Sequence, residues 1–248
     1  MPSSTPPPST TPRRVAPIAI VFAVPLEADA FERLTVGRVE TRAGPLLVHE
    51  GTVAGVRVVW CVAGAGTAAA ARAARLLIDG HRPRLLVSAG FAGGLDPALE
   101  RGSVVRPARA VAVDSEPIDL AHASPEDGAI VTVDRVATVA GEKRRIAESS
   151  GARLVDMETY AVAAAARAAS LRCAAVRVIS DAAEDDLPRE VDALVRPQSE
   201  WRRMGAAVGA VIRRPRAAVD LWRLYERAVA DGRALAAAVA ELCRTAAA

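Results

Sequence analysis

The stretch Leu154-Val-Asp-Met-Glu158-Thr-Tyr runs from a short apolar strand into an alanine-rich helix and leaves a carboxylate at the junction. A second apolar run, Ala174-Ala-Val-Arg-Val-Ile179, ends in Ser180-Asp181. In α/β sheets, ligands bind in the crevice outside the carboxyl ends of the strands. Two acids at the ends of successive strands therefore predict a reactive or ligand-binding site on an α/β sheet.

Outward from this stretch, the chain alternates between buried strands and helices of small residues. Apolar runs predict strands near residues 18–24, 46–50, 56–62, 85–89, 104–113, 129–133, 153–156 and 174–179. Helices are predicted near residues 26–34, 67–78, 138–149 and 158–169. The alternation favours an α/β fold with a mixed, mainly parallel central sheet flanked by helices. The glycine-rich run from Gly90 to Pro97 is predicted to be a loop that ends the central strand.

The chain of 248 residues suits one domain with appendages. Residues 1–14, rich in Pro, Ser and Thr, predict a disordered tail, and residues 15–197 predict the main domain. Residues 198–248 predict a helical extension packed on that domain. Its apolar stripe from Leu221 to Leu242 favours a helix that closes the core or contacts another subunit, over a helix that lies on a membrane surface.

Composition excludes several classes of partner. A net charge of +3 with dispersed arginines, and only 3% aromatic residues, argue against a nucleic-acid partner. Three distant cysteines form neither a disulfide framework nor a zinc motif, so a cytoplasmic location is expected. Arg13-Arg14 followed by the apolar run Val15 to Leu26 imitates a secretory signal, but a buried first strand is the favoured interpretation.

Two further motifs could suggest bound groups. Gly64-Ala-Gly66-Thr-Ala-Ala69 satisfies the dinucleotide fingerprint, yet the next strand ends in glycine without the acid that such a site needs. A tight turn explains the glycines better, and no cofactor is expected. The acidic run Glu184-Asp185-Asp186 is more typical of a solvated turn than of a divalent cation site, so no metal is expected.

Four strand ends carry suggestive residues: Glu27, the glycines from Gly90 to Gly94, Met157-Glu158 and Ser180-Asp181. If these strands are parallel, all four lie on one rim of the sheet. A single acid at such a position is typical of a helix cap or of a first-turn carboxylate. The recurrence at successive strand ends favours a common site.

Five motifs, in order, resemble the purine nucleoside phosphorylase and nucleosidase superfamily, especially its methylthioadenosine/S-adenosylhomocysteine nucleosidase branch. They are Ala23-Val-Pro-Leu-Glu27, Gly64-Ala-Gly66-Thr-Ala-Ala, Ala89-Gly-Phe-Ala-Gly-Gly-Leu95, Asp156-Met-Glu158-Thr and Arg177-Val-Ile-Ser-Asp181. The resemblance extends from about residue 17 to about residue 197. The segment Val133-Asp-Arg-Val-Ala137, Leu187-Pro188 and the long helical C-terminus are most similar to the hopanoid-pathway members, which remove adenine from adenosylhopane.

The resemblance implies hydrolysis of the N-glycosidic bond of a purine nucleoside, with release of adenine. Asp181 would protonate N7 of the base, in an acid form favoured by burial or by a nearby negative charge. Glu158 would bind the ribose, with Met157 packed on the sugar, and Glu27 would activate water. The substrate-binding residues would be Glu158, Met157, Ser180, Phe91, Ala92, Gly93 and Val136.

The sequence departs from the family at several positions. Phosphorylases of the superfamily hold phosphate with an arginine at the end of the central strand, where this chain has Ser88, so water is the expected nucleophile. Phe91 replaces the Ser or Thr of nucleosidases, and no aromatic residue near Val136 corresponds to the one that stacks on adenine. These changes favour a bulky apolar substituent on the ribose.

Two alternatives stay open: a phosphate-dependent phosphorylase and a catalytically silent nucleoside-binding protein. The expected partner is a small nucleoside. The resemblance further implies a homo-oligomer, and membrane contact is expected only if the substrate is linked to a lipid.

Overall fold

The computed structural model describes residues 15–187 and 215–247. The predicted N-terminal tail and the segment 188–214 lie outside the described residues, and with them the predicted boundary at residue 197. The described C-terminal part is one long helix.

The described chain contains eleven strands and five α-helices. The strands are β1 (Ile18–Phe22), β2 (Val36–Ala43), β3 (Leu46–Val53), β4 (Val56–Val62), β5 (Leu85–Gly94), β6 (Val104–Val105), β7 (Arg109–Ala112), β8 (Ile118–Asp119), β9 (Ala129–Thr132), β10 (Leu154–Asp156) and β11 (Cys173–Asp181). The helices are α1 (Pro25–Leu34), α2 (Thr67–His81), α3 (Ala140–Ser150), α4 (Thr159–Ala168) and α5 (Pro215–Thr245).

All strands belong to one mixed sheet, in the order β2-β3-β4-β1-β5-β10-β9-β7-β8, with β11 pairing β5 and β6. The fully buried β1 lies between β4 and β5 and is parallel to both. The apolar run after Arg14 is therefore a central strand, as predicted. The prediction of a mixed sheet flanked by helices is confirmed, and antiparallel hairpins extend it at its edges.

The predicted break of the central strand at Gly90 is wrong. β5 continues to Gly94, because its last residues pair in parallel with the end of β11, where Arg177 lies opposite Gly90 and Asp181 opposite Gly93. The ladder hydrogen bonds to β11 hold the glycines in an extended conformation that local turn propensity does not predict.

Helices cover the sheet on both faces. Side chains of α2 and α4, such as Leu77 and Val162, pack on one face. Phe31 of α1 and Leu235 and Val239 of α5 pack on the other face. Each such buried side chain contributes about 1.5–3 kcal/mol, so the apolar side chains of α5 from Leu235 to Cys243 help to close the core. Within residues 15–187 and 215–247, no helix is both long and apolar enough to cross a membrane.

Candidate active site

A cavity of about 530 Å³ lies beside the ends of β5 and β11 and is partly walled by α1 and α5. All of the site residues predicted from the sequence line this cavity: Glu27, Phe91, Ala92, Gly93, Val136, Met157, Glu158, Ser180 and Asp181. Three carboxylates from separate segments therefore meet around one space large enough for a nucleoside.

Glu27 is positioned by the start of α1. Its Oε2 accepts hydrogen bonds from the backbone N–H of Ala23 at 2.8 Å and of Val24 at 3.0 Å, and its Oε1 accepts one from Phe91 at 2.9 Å. A Cβ on Gly90 would lie 2.5 Å from Oε1, so the carboxylate lies directly on the backbone of β5. Burial raises the pKa of Glu27, although the three N–H donors act in the opposite direction.

Glu158 follows β10 and precedes α4. Its Oε1 accepts a hydrogen bond of 2.7 Å from the N–H of Gly66, which has a φ of +99° and is the N-cap residue of α2. The glycine motif thus forms a tight turn, as predicted, and that turn holds a site carboxylate. Burial first, and the carboxylate of Asp156 second, raise the pKa of Glu158 to about 8.

Asp181 ends β11 and has two polar partners. Its Oδ1 accepts a hydrogen bond of 2.6 Å from the hydroxyl of Ser180, and its Oδ2 lies 2.5 Å from Nζ of Lys143. Lys143 is only 1% exposed. The sequence suggested burial or a negative charge beside Asp181. The carboxylate is indeed buried, but its closest charged neighbour is an ammonium that the sequence analysis missed.

A buried arginine supports the floor of the site. Nη2 of Arg177 lies 2.7 Å from each of three oxygens, which are Asp156 Oδ2, Ser88 Oγ and Thr159 Oγ1. Ser88 stands where the resemblance expects the phosphate-binding arginine of phosphorylases. It is 1% exposed, and its hydroxyl oxygen contacts Arg177. The sequence analysis missed the role of Arg177; a charged residue inside an otherwise apolar strand was the signal.

The site forms differently from the single rim that was predicted. β10 runs antiparallel to β5, with Leu154 opposite Gly94 and Val155 opposite Gly93. The chain after β10 therefore returns along β5 and brings Glu158 into the same cavity as Glu27. The assumption that all four strands are parallel is wrong, but the predicted residues do line one cavity.

The long C-terminal helix supplies one wall. Ala228 and Asp231 of α5 line the cavity, and Asp231 Oδ2 lies 2.8 Å from Nη2 of Arg101. Arg101 also donates to the backbone carbonyl of Ser180, next to Asp181. The helix is thus tied by an ion pair to the segment that carries the site.

The acidic run after β11 has structural partners. Asp185 Oδ2 accepts the N–H of Ala182 at 2.8 Å, and Asp186 Oδ1 accepts the N–H of Ala140 at 2.9 Å. Within the residues that the structure describes, no group of three His, Cys, Asp or Glu side chains is arranged to hold a metal ion.

Comparison with known proteins places this site in a family. The family model for the phosphorylase superfamily matches residues 17–123 and 116–213. The chain belongs to the phosphorylase superfamily. A 5'-methylthioadenosine/S-adenosylhomocysteine nucleosidase of Actinobacillus succinogenes is 28% identical over 200 residues, which cover 68% of this chain and 87% of the relative.

Solved structures show the same fold. The Neisseria meningitidis 5'-methylthioadenosine/S-adenosylhomocysteine nucleosidase in complex with methylthio-immucillin-A is 18% identical, with a TM-score of 0.70 over 93% of this chain and 100% of that one. The futalosine hydrolase of Helicobacter pylori is also 18% identical, with a TM-score of 0.64 over 73% and 91%. The family match and the relatives confirm the predicted enzyme class, which is a nucleosidase or a nucleoside phosphorylase.

Proposed function

We propose that this protein is a nucleosidase that hydrolyses the N-glycosidic bond of a purine nucleoside and releases adenine. The observation that carries the proposal is the meeting of Glu27, Glu158 and Asp181 on one cavity, each held by named partners. A sugar that gains positive charge as its base leaves is stabilised by such carboxylates. Two of the relatives named above are 5'-methylthioadenosine/S-adenosylhomocysteine nucleosidases, and that supports the reaction.

In this mechanism, Asp181 gives a proton to N7 of the base while the C1′–N9 bond breaks and its electron pair passes to the base. Glu158 accepts hydrogen bonds from the ribose hydroxyls, and Met157 packs against the sugar. Glu27 takes a proton from the attacking water, whose oxygen bonds to C1′. The raised pKa of Glu27 suits a base, because a carboxylate of higher proton affinity accepts a proton more readily.

We propose water, and not phosphate, as the nucleophile. Both arginines that line the cavity within the described chain already have acid partners: Arg101 pairs with Asp231 at 2.8 Å and Arg135 with Glu142 at 2.8 Å. A phosphate dianion needs cations or several donors to hold it. Adenine release measured with and without inorganic phosphate tests this choice, and strict dependence on phosphate would establish the phosphorylase alternative.

The substrate is proposed to carry a bulky apolar group on the ribose, as in the hopanoid-pathway members that the sequence resembles. The cavity is lined by the apolar side chains of Leu26, Val136, Leu187 and Ala228 in addition to Phe91. Such a lining favours an apolar substituent over a charged one. Contact with a membrane is part of this proposal only for a lipid-linked substrate. The cytoplasmic location and the homo-oligomer stay predictions.

The deciding experiment measures release of free base from adenosine, methylthioadenosine, S-adenosylhomocysteine, inosine and a lipid-linked adenosine. Asp181→Asn is expected to lower kcat by about 10²-fold or more, because it removes the proton donor. Asp119→Asn, at an exposed position of β8, is the matched control and should leave the rate unchanged. Nucleoside binding without turnover by the unmodified protein would instead identify a silent binding protein.

A further inference from the structure

We propose that Lys143 is a positioning residue for the acid of the reaction: its ammonium orients Asp181 toward the base and balances the carboxylate that remains after the proton has left. This inference rests on the proposed nucleosidase function and adds a residue that the superfamily motifs quoted above do not contain.

The first observation is the burial of Lys143. Lys143 is the one buried side chain of α3, all of whose residues the structure describes. Its neighbours Arg144 and Arg145 are exposed. A surface helix ordinarily buries apolar side chains, and lysine is almost never fully buried unless it is paired. The buried position of this helix is thus occupied by a cation that points at the site.

The second observation is the set of acceptors around Nζ. It lies 2.5 Å from Asp181 Oδ2 and donates to the backbone carbonyls of Ala182 at 2.6 Å and of Asp185 at 3.0 Å. Three acceptors match the three protons of an ammonium. Lys143 therefore fixes one carboxylate oxygen of Asp181 together with the turn of chain that follows it.

The other oxygen of Asp181 is left for the transferred proton. Oδ1 accepts the hydroxyl of Ser180 at 2.6 Å, and the same hydroxyl lies 3.3 Å from the carbonyl oxygen of Ala92. When Oδ1 carries a proton, the Ser180 hydroxyl can donate to Ala92 instead. In the reaction, the Oδ1–H bond breaks, N7 gains the proton, and the resulting carboxylate stays beside the Lys143 ammonium. Opposite charges in contact at a buried site attract strongly.

The test compares two leaving groups in Lys143→Met, with Arg145→Met as the control on the same helix. Adenine needs a proton in order to leave, whereas the nitrophenolate of 4-nitrophenyl β-ribofuranoside does not. We expect Lys143→Met to lower kcat about 10²-fold for adenosine and less than about threefold for the nitrophenyl riboside. An equal fall for both substrates would assign Lys143 a merely structural role and overturn the inference, as would an unchanged rate with adenosine.

A binding measurement keeps the test independent of turnover. Calorimetry compares adenine with 7-deazaadenine, which has no nitrogen at position 7. The unmodified protein should prefer adenine by about tenfold, the value of one hydrogen bond, and Lys143→Met should lose this preference. If the methionine variant does not fold, Lys143→Gln replaces it, since an amide still donates to the carbonyls without a charge. A preference for adenine that persists in the folded variant refutes the inference.

The two proposals fail differently. If the unmodified protein releases no base from any purine nucleoside, the proposed function is wrong. If it does release base while Lys143→Met keeps the full rate and the full preference for adenine, only the positioning role is wrong.

Discussion

Glu158 is expected to destabilise the folded protein increasingly as the pH rises, and Glu158→Gln should remove this effect. Burial and the nearby Asp156 carboxylate raise the pKa of Glu158 from 4.5 to about 8. Between these values the unfolded chain releases a proton that the folded protein retains. The stabilising contribution of protonated Glu158 is therefore fully present below about pH 4.5 and is lost as the pH rises through 8.

The size of the effect follows from the shift. One pKa unit corresponds to about 1.4 kcal/mol, so an isolated group with these two values loses roughly 3 to 4 kcal/mol of folding free energy between pH 5 and pH 8. A glutamine keeps an oxygen for the N–H of Gly66 and carries no charge at any pH. The variant should match the unmodified protein at pH 5 and exceed its free energy of unfolding by up to roughly 3 kcal/mol at pH 8.

The assay is urea unfolding at four pH values from 5 to 8. Glu148→Gln, an exposed position of α3, serves as the control and should not change the pH dependence. If the curves of free energy against pH for Glu158→Gln and the unmodified protein run parallel, Glu158 has an ordinary proton affinity and the reasoning fails. If the unmodified protein is more stable than Glu158→Gln at pH 8, even the sign of the expected difference in unfolding free energy is wrong.

Three further outcomes are expected. Because the proposed mechanism needs the charged form of Glu158 beside the sugar cation, kcat/KM should rise with pH up to about 8, and a flat profile from pH 6 to 8 would contradict this. Gly90→Ala should lower kcat at least tenfold, because the new Cβ would lie 2.5 Å from the Glu27 carboxylate, whereas Gly80→Ala, with open space around it, should leave kcat unchanged. Arg177→Met should cost about 3–5 kcal/mol in urea unfolding by leaving its buried carboxylate partner unpaired; a cost below 1 kcal/mol would show that the pair is not essential.

Much of the fold was predictable because local pattern and tertiary environment agree. The buried apolar run of β1 and the small-residue periodicity of α2 are typical of their structures, and both were predicted within a few residues. The nine site residues could be named in advance because strand ends and motif order are properties of the sequence. Their placement on one cavity could not be established without the structure.

The elements that the sequence did not predict depend on distant partners. β5 extends past Gly90 because β11 pairs with it, and that strand begins some eighty residues later in the chain. β2, which has exposed residues along most of its length, lacks a buried face to give it a pattern and exists as a hairpin partner of β3. The direction of β10 follows from register with β5 and not from any local signal.

Lys143 shows most clearly what cannot be predicted from the sequence alone. In the sequence Gly141-Glu-Lys-Arg-Arg-Ile146, a lysine among charged residues predicts a solvated helix face. In the structure that one side chain is buried, because its ammonium contacts Asp181 and two backbone carbonyls. A buried cation and its acceptor are separated by 38 positions in the chain, and no periodicity connects them.

The three site carboxylates are chemically alike, so the different roles proposed for them depend on their surroundings. Glu27 is held by three backbone N–H groups, Glu158 by one N–H beside a second carboxylate, and Asp181 by a hydroxyl and an ammonium. Burial raises the pKa of Glu27 and of Glu158, and such differences in environment are how one site can be suited to both acid and base chemistry. Two glycines of β5 also constrain position: a Cβ on Gly90 would lie 2.5 Å from the Glu27 carboxylate, and a Cβ on Gly93 would lie 3.1 Å from Asp181 Oδ2. These short contacts fix the geometry that the proposed roles require, and a substitution at Gly90, where the contact is shortest, should impair catalysis most without altering a reacting group.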